Sequence, residues 1–203
     1  MKIDLKKGRK VIEMFMGEED EDGIQAISIV SSPAIEKDFL MLSKDQTVAP
    51  EPYAVKLLSE EKRTICGPVL IPDLEIYRND PQEGEYYIKF SKETVRKASE
   101  QYMKLGYQGN VTEEHKNDVQ DVYMTEAWIV EGAVDKSTHL GFKLPVGTFM
   151  ATHKVINDDL WNKIKAGELK GYSLEGMFAP TKLAKQGPTL EEVIEACASV
   201  YYK

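Results

Sequence analysis

Three kinds of side chain that serine hydrolases combine occur in this sequence. Ser173 lies between Gly171 and Gly176 in a run typical of a β-strand, and glycine permits turns or close backbone approach that a side chain would forbid. His115 follows two glutamates upstream, and Glu126 lies between the histidine and the serine. A serine nucleophile, a histidine base and a carboxylate that orients the histidine make up a catalytic triad. They act together only if the fold brings them together.

Glu126 is the acid with the most unusual sequence surroundings. A strand predicted over 121–131 alternates with period two, and the face that carries Glu126 is otherwise apolar: Val122, Met124, Trp128 and Val130. A buried carboxylate is costly unless it is paired. A histidine partner is one interpretation, and an ion pair with a lysine or arginine, or a place at a sheet edge, is the other. Glu175 shares a strand face with Ser173 and is one rival third member, and His139 is the other.

The three histidines differ in context. The turn-like segment 116–118 after His115 could form a hairpin that returns Glu126 close to the imidazole. His139 lies in a predicted loop and is expected to be an exposed bystander, whereas His153 lies in a predicted strand and is expected to be half-exposed and structural. No HExxH or paired-cysteine spacing of a zinc site occurs. A metal site made of His115, His139 and Glu126 is the weakest interpretation.

Composition limits the class of protein. At 203 residues the chain can build one domain with a real core, and its formal charge of −8 argues against a nucleic-acid-binding surface. No apolar run approaches the roughly 20 residues that cross a bilayer, so we expect no membrane partner. Cys66 and Cys197 are the two cysteines, which favours a reduced intracellular compartment, and both are expected to be core residues rather than nucleophiles.

Changes in composition suggest three parts. Five acidic residues at 18–22 and the polar, proline-containing stretch 43–52 predict an N-terminal arm and linker over 1–52. The compact domain is predicted over 53–180. A capping box and an apolar stripe at helical spacing predict an amphipathic helix in the last part, 181–203.

The compact part alternates strand and helix signals. Ser91 and Asn157 are placed as helix N-caps, and Gly106 and Gly167 as helix ends. Strands are predicted over 63–71, 85–90, 121–131, 147–155 and 171–178. Most links are too short for parallel crossovers. We therefore expect an α+β fold, a mainly antiparallel sheet or barrel flanked by helices.

Several short motifs occur in an order that resembles a known family. They are Ile65–Asp73 (ICGPVLIPD), Glu114-His115, Glu126–Glu131 (EAWIVE), Leu144–Met150 (LPVGTFM), Leu160-Trp161 and Lys170–Gly176 (KGYSLEG). Together they resemble the XkdF-like branch of the phage prohead proteases. The similarity covers roughly 63–180.

The resemblance implies a serine endopeptidase that needs no cofactor and cleaves scaffold and major capsid proteins inside the prohead, in the host cytoplasm. It also implies a fold similar to the herpesvirus assemblins, with Ser173 as nucleophile and His115 as general base. The third member varies among relatives, and we assign Glu126 from its place on the strand. The alternative is a non-catalytic head scaffold or assembly protein built on the same domain. Cleavage specificity and oligomeric state, including a homo-oligomer, stay open.

Overall fold

The computed structural model describes residues 2–4, 9–17, 22–33, 54–82 and 84–180. The predicted C-terminal helix over 181–203, with Cys197, and the predicted linker over 43–52 lie outside these residues, as do four of the five acids at 18–22. Within the described ranges, no helix is long and apolar enough to span a membrane.

Strands dominate the described chain. They are β1 (Lys2–Asp4), β2 (Arg9–Phe15), β3 (Gly23–Val30), β4 (Lys56–Ser59), β5 (Thr64–Leu70), β6 (Ile76–Asp80), β7 (Gly84–Phe90), β8 (Val111–Glu113), β9 (Asn117–Asp118), β10 (Val122–Ile129), β11 (Phe149–Val155), β12 (Gly171–Met177) and β13 (Ala179–Pro180). The α-helices are α1 (Lys92–Lys104), α2 (Lys136–His139) and α3 (Asp158–Lys165), and a 3₁₀ turn covers Tyr107–Gly109.

These strands form three sheets. The first has the order β1-β2-β7-β6, with β13 also paired to β2; the second is β10-β11-β5-β4; the third is β12-β3-β8-β9. The ladders are antiparallel except for β2 with β7 and β3 with β8, which are parallel. The predicted α+β class is therefore confirmed. The predicted barrel is wrong for the described residues, because each sheet is open and its edge strands lack the second neighbour that closure requires.

The helix boundaries follow local signals in the sequence. The Ser91 side chain accepts a hydrogen bond from the Thr94 backbone N at 3.2 Å, and Asn157 accepts one from the Leu160 backbone N at 2.9 Å. Gly106 follows α1 with φ of 77°, the left-handed conformation expected at a helix end. Both predicted N-caps are confirmed.

One buried cluster joins all three sheets with helices α1 and α3. Helix α1 packs on β3 and contributes Val95, Ala98 and Tyr102 to the buried cluster. Tyr172 of β12 is almost fully buried, and its hydroxyl lies 3.4 Å from the Ile65 carbonyl oxygen of β5. The strand that carries Ser173 is thus fixed to two sheets at once.

Strands β2 and β3 belong to this core, whereas the sequence predicts an N-terminal arm over 1–52. β2 pairs with β7, and β3 lies between β12 and β8. The physical reason is that the apolar side chains of β3 are buried, with Ile27 and Ile29 fully so, and such a strand needs neighbours on both sides.

Candidate active site

Ser173 lies in the middle of β12, directly opposite Ser28 of β3. It is 8 % exposed, and among the described residues its hydroxyl makes no hydrogen bond. The flanking glycines do allow close approach: a Cβ at Gly176 would lie 2.0 Å from the Gly23 carbonyl oxygen, and one at Gly171 would lie 2.1 Å from Pro33 Cγ. Because these glycines have no side chain, β12 can pack closely against β3 and against Pro33, which follows it.

His115 lies in the turn of the hairpin formed by β8 and β9. The Lys116 backbone N donates to the Glu113 carbonyl oxygen at 3.0 Å, and the two central residues, Glu114 and His115, have φ of 53° and 58°. Positive φ at both central positions defines a type I′ turn, which favours Asn and Gly. A glutamate and a histidine in this conformation carry backbone strain, a feature that clusters at functional sites.

The structure brings His115 into contact with Glu175. The Nδ1 atom of His115 lies 3.1 Å from Oε1 of Glu175, and the Thr112 hydroxyl donates a hydrogen bond to the same oxygen. Both ionisable side chains are partly exposed, while Thr112 is buried. A carboxylate at Nδ1 fixes the ring and leaves Nε2 for a second partner, as in a triad.

Ser28 lies next to both Ser173 and His115. The His115 backbone N donates to the Ser28 hydroxyl at 3.0 Å. Since opposite side chains on paired strands lie about 5 Å apart, the backbone of His115 comes within about 8 Å of the Ser173 side chain. Glu175 is two residues from Ser173 on the same face of β12, about 7 Å along the strand. The serine, the histidine and this carboxylate therefore share one face of the third sheet.

Glu126 lies elsewhere, and the expectation of a buried place on an apolar face is wrong. A bulge between Met124 and Glu126 breaks the alternation of β10, so that the Glu126 side chain is half-exposed. Its carboxylate pairs with the ammonium of Lys136, which also lies 5.0 Å from the centre of the Trp128 ring. Glu126 belongs to the second sheet, and its contact is the lysine that the alternative interpretation allowed. The described contacts do not bring it to His115.

The other two histidines also have clear environments. His139 is exposed, as expected, with Nδ1 2.9 Å from the Asp135 carbonyl oxygen. His153 is fully buried rather than half-exposed, because it lies on the central strand β11 with Nδ1 2.9 Å from the Tyr172 hydroxyl. Burial lowers the pKa of His153 to about 3, so the ring is neutral. Among the described residues, no group of three or more His, Cys, Asp or Glu side chains is arranged to hold a metal ion.

Cys66 is a core residue, as the sequence predicts. It is fully buried in β5, and burial raises the pKa of its thiol. The nucleophile of a cysteine enzyme is the thiolate, in a partly exposed and electropositive place. Cys66 is therefore a poor candidate nucleophile.

Two depressions adjoin the site. A cavity of about 20 Å³, with room for about one water molecule, touches Ser173, Tyr172 and Arg78, and the rest of its wall is apolar. A groove of about 370 Å³ lies next to Glu175, with mostly polar walls that include Asn110 and Thr112. An extended chain could lie across this face of the sheet.

Sequence reasoning missed two residues of the site, Ser28 and Thr112. Ser28 is a polar residue between Ile27 and Ile29 in a strand that is otherwise mostly apolar. Such a position is a signal of a polar group with a specific partner, because an unpaired buried hydroxyl is costly. Thr112 precedes the Glu-Glu-His sequence, and nothing local distinguishes it.

A serine, a histidine and a carboxylate on one face of a sheet, in a strand-rich α+β domain, are the groups of a serine hydrolase. Comparison with known proteins identifies the family. The family model described as "Putative phage serine protease XkdF" matches residues 54–181, which is more than half of the chain. This protein therefore belongs to that family. No curated protein matches the chain. No solved structure matches it either.

Proposed function

We propose that this protein is a serine endopeptidase that cleaves scaffold and capsid proteins during maturation of the phage head. Ser173 is the nucleophile, His115 is the general base, and Glu175, rather than Glu126, orients the histidine. The observation that carries the proposal is the contact between His115 Nδ1 and Glu175 Oε1, on the sheet face that also carries Ser173. Membership in a family of phage serine proteases supports it.

The reaction would proceed through an acyl-enzyme. His115 takes the proton of the Ser173 hydroxyl as Oγ attacks a peptide carbonyl carbon, and it then gives that proton to the leaving amine as the C–N bond breaks. A water molecule, deprotonated by the same imidazole, attacks the ester, and the proton returns to Ser173 as the acid leaves. Glu175 accepts from the Nδ1 side and stabilises the imidazolium.

The negative charge on the carbonyl oxygen needs a donor or a positive charge nearby. Arg78 lines the small cavity that touches Ser173, and it is the cationic residue of that wall. The cavity has the size of about one water molecule, which suits a single oxygen atom. We assign the oxyanion to this cavity.

A non-catalytic head scaffold or assembly protein is the second candidate. One observation favours it: Ser173 is only 8 % exposed, and among the described residues no hydrogen bond joins its hydroxyl to His115. Catalytic hydrogen bonds are often long in the absence of substrate, so this geometry is also compatible with an enzyme.

Incubation with the cognate scaffold protein tests the proposal. Wild type and Ser137→Ala, which removes the hydroxyl of another buried serine, should cleave the scaffold, whereas Ser173→Ala should not. A fluorophosphonate reagent, which reacts with activated serines, should add one label at Ser173 in the first two proteins, as read by peptide mass spectrometry. Equal cleavage by all three proteins, or by none of them, would favour the second candidate.

A further inference from the structure

Ser28 occupies the centre of the third sheet, between the strands of the proposed nucleophile and base. It is opposite Ser173 of β12 on one side and opposite Thr112 of β8 on the other. Its side chain is fully buried. It also lies outside residues 54–181, the part of the chain that the family model matches. The site therefore includes a strand that the family model does not cover.

One hydroxyl group makes two hydrogen bonds at this point. Ser28 Oγ accepts from the His115 backbone N at 3.0 Å and donates to the Thr112 carbonyl oxygen at 3.4 Å. Both partners belong to the segment that carries the histidine. The hydroxyl thus ties the β8 hairpin to the strand that pairs directly with Ser173.

The hairpin needs such a tie because its turn is strained. A left-handed conformation is unfavourable for a residue other than glycine, and Glu114 and His115 both adopt it. The Glu114 carboxylate accepts from the Ser31 backbone N at 2.7 Å, and hydrogen bonds from Ser31, the side-chain bond above all, lower the pKa of Glu114. Both strained residues are therefore bonded to β3 or to the residue just after it. Ser31 binds the carboxylate of Glu114, and Ser28 binds the backbone N–H of His115.

We infer that Ser28 is a positioning residue of the peptidase reaction. Its hydroxyl fixes the backbone of His115 at a set distance from Ser173, so that the imidazole stays against Glu175 with Nε2 directed to the substrate side. Ser28 takes no part in bond making, since it is buried and bonded on both sides. This inference rests on the proposed function, and it adds the N-terminal strand to the machinery.

The test compares Ser28→Ala with Ser28→Thr and with a matched control, Ser99→Ala. Ser99 is also buried, and its hydroxyl donates to the Arg96 carbonyl oxygen within α1. Each full-length protein is assayed for kcat and KM on a scaffold-derived peptide, for melting temperature, and for hydrogen exchange of the His115 backbone amide.

We expect Ser28→Ala to lower kcat about 10- to 100-fold with KM nearly unchanged, because a shift of about 1 Å in a catalytic group has effects of this size. The His115 amide should exchange faster. Ser28→Thr, which keeps the hydroxyl, should recover most of the lost kcat. Ser99→Ala should change neither kcat nor the exchange of that amide.

Other results would contradict either the positioning role of Ser28 or the proposed function. If Ser28→Ala and Ser99→Ala have the same kcat, or if the His115 amide exchanges equally in both, the positioning role is wrong while the proposed peptidase stands. If wild type does not cleave the scaffold, or if Ser173→Ala cleaves it equally well, the proposed function fails, and the positioning role of Ser28 fails with it.

Discussion

At the scale of single residues, the choice between two carboxylates decides how the site works. Glu175 contacts both the imidazole of His115 and the hydroxyl of Thr112, whereas Glu126 pairs with Lys136 at the surface. An acid in contact with the base can select its tautomer and stabilise its cation. An exposed ion pair contributes little, typically about 0–1 kcal/mol.

The variants Glu175→Gln and Glu126→Gln separate these roles by the same chemical change. Glu175→Gln should lower kcat on a scaffold-derived peptide roughly 10³-fold or more, because an amide does not stabilise the imidazolium. Glu126→Gln should stay within about threefold of wild type, since it only loses an exposed ion pair. A large loss in Glu126→Gln together with a small loss in Glu175→Gln would restore the assignment made from the strand pattern.

His153 makes the free energy of unfolding depend on pH. Burial lowers its pKa to about 3, from 6.5 in an exposed histidine. Between these values the unfolded state binds more protons than the folded state, so the free energy of unfolding falls as the pH falls, by at most about 1.4 kcal/mol per pH unit. The stability that the neutral ring contributes is complete above pH 6.5 and is lost progressively toward pH 3.

Denaturant unfolding of wild type and His153→Gln at pH 7, 6 and 5 checks this. Wild type should lose about 1 kcal/mol more than the variant for each pH unit below 6, because glutamine does not titrate and the other groups are common to both proteins. If the two proteins lose stability in parallel, the buried, neutral state of His153 is wrong.

At the scale of elements, features set by nearby residues could be predicted from the sequence, and features set by pairing with distant strands could not. Ser91, Asn157 and Gly106 mark helix ends because their interactions are with residues a few positions away. The bulge in β10 inserts one residue and turns Glu126 to the surface, and no local rule in the sequence announces it. The sequence suggests a turn at 116–118 that returns the strand of Glu126 to His115. In the structure the turn contains Glu114 and His115, residues Asn117–Asp118 form β9, and β8 pairs with β3 rather than with the strand of Glu126.

The glycines beside Ser173 carry a prediction at this scale. Gly176→Ala should lower the free energy of unfolding by about 2 kcal/mol or more, because its Cβ would lie 2.0 Å from the Gly23 carbonyl oxygen and the backbone would have to move. Gly132→Ala is the control, since a Cβ there meets no atom within 4 Å. Denaturant unfolding gives both values. Equal stability of the two variants would mean that β12 and β3 are not packed so closely.

At the scale of the whole molecule, the site depends on pairings between distant parts of the chain. Ser28 pairs with Thr112 and Ser173, which follow it by 84 and 145 positions. In the sequence, the polar stretch 43–52 lies between β3 and these partners. Its composition predicts a domain boundary there, whereas β3 pairs with β8 and β12 from beyond it. Ser173 and His115 could be predicted as candidates from residue types and motif order. The apolar run 24–30 predicts a strand, but the position of that strand between them could not be predicted, because sheet order is decided by contacts that no short segment encodes.

Truncation tests this dependence on the N-terminal strands. The fragment 54–203 retains the segment that the family model matches but lacks β1, β2 and β3, so the apolar surfaces of β12, β8 and α1 that β3 covers would face water. We expect this fragment to show no cooperative thermal unfolding and no scaffold cleavage. The fragment 9–203, which lacks only β1 at the edge of the first sheet, should keep both. Full activity and a sharp melting transition in 54–203 would show that the matched segment folds alone and that β3 is dispensable to the site.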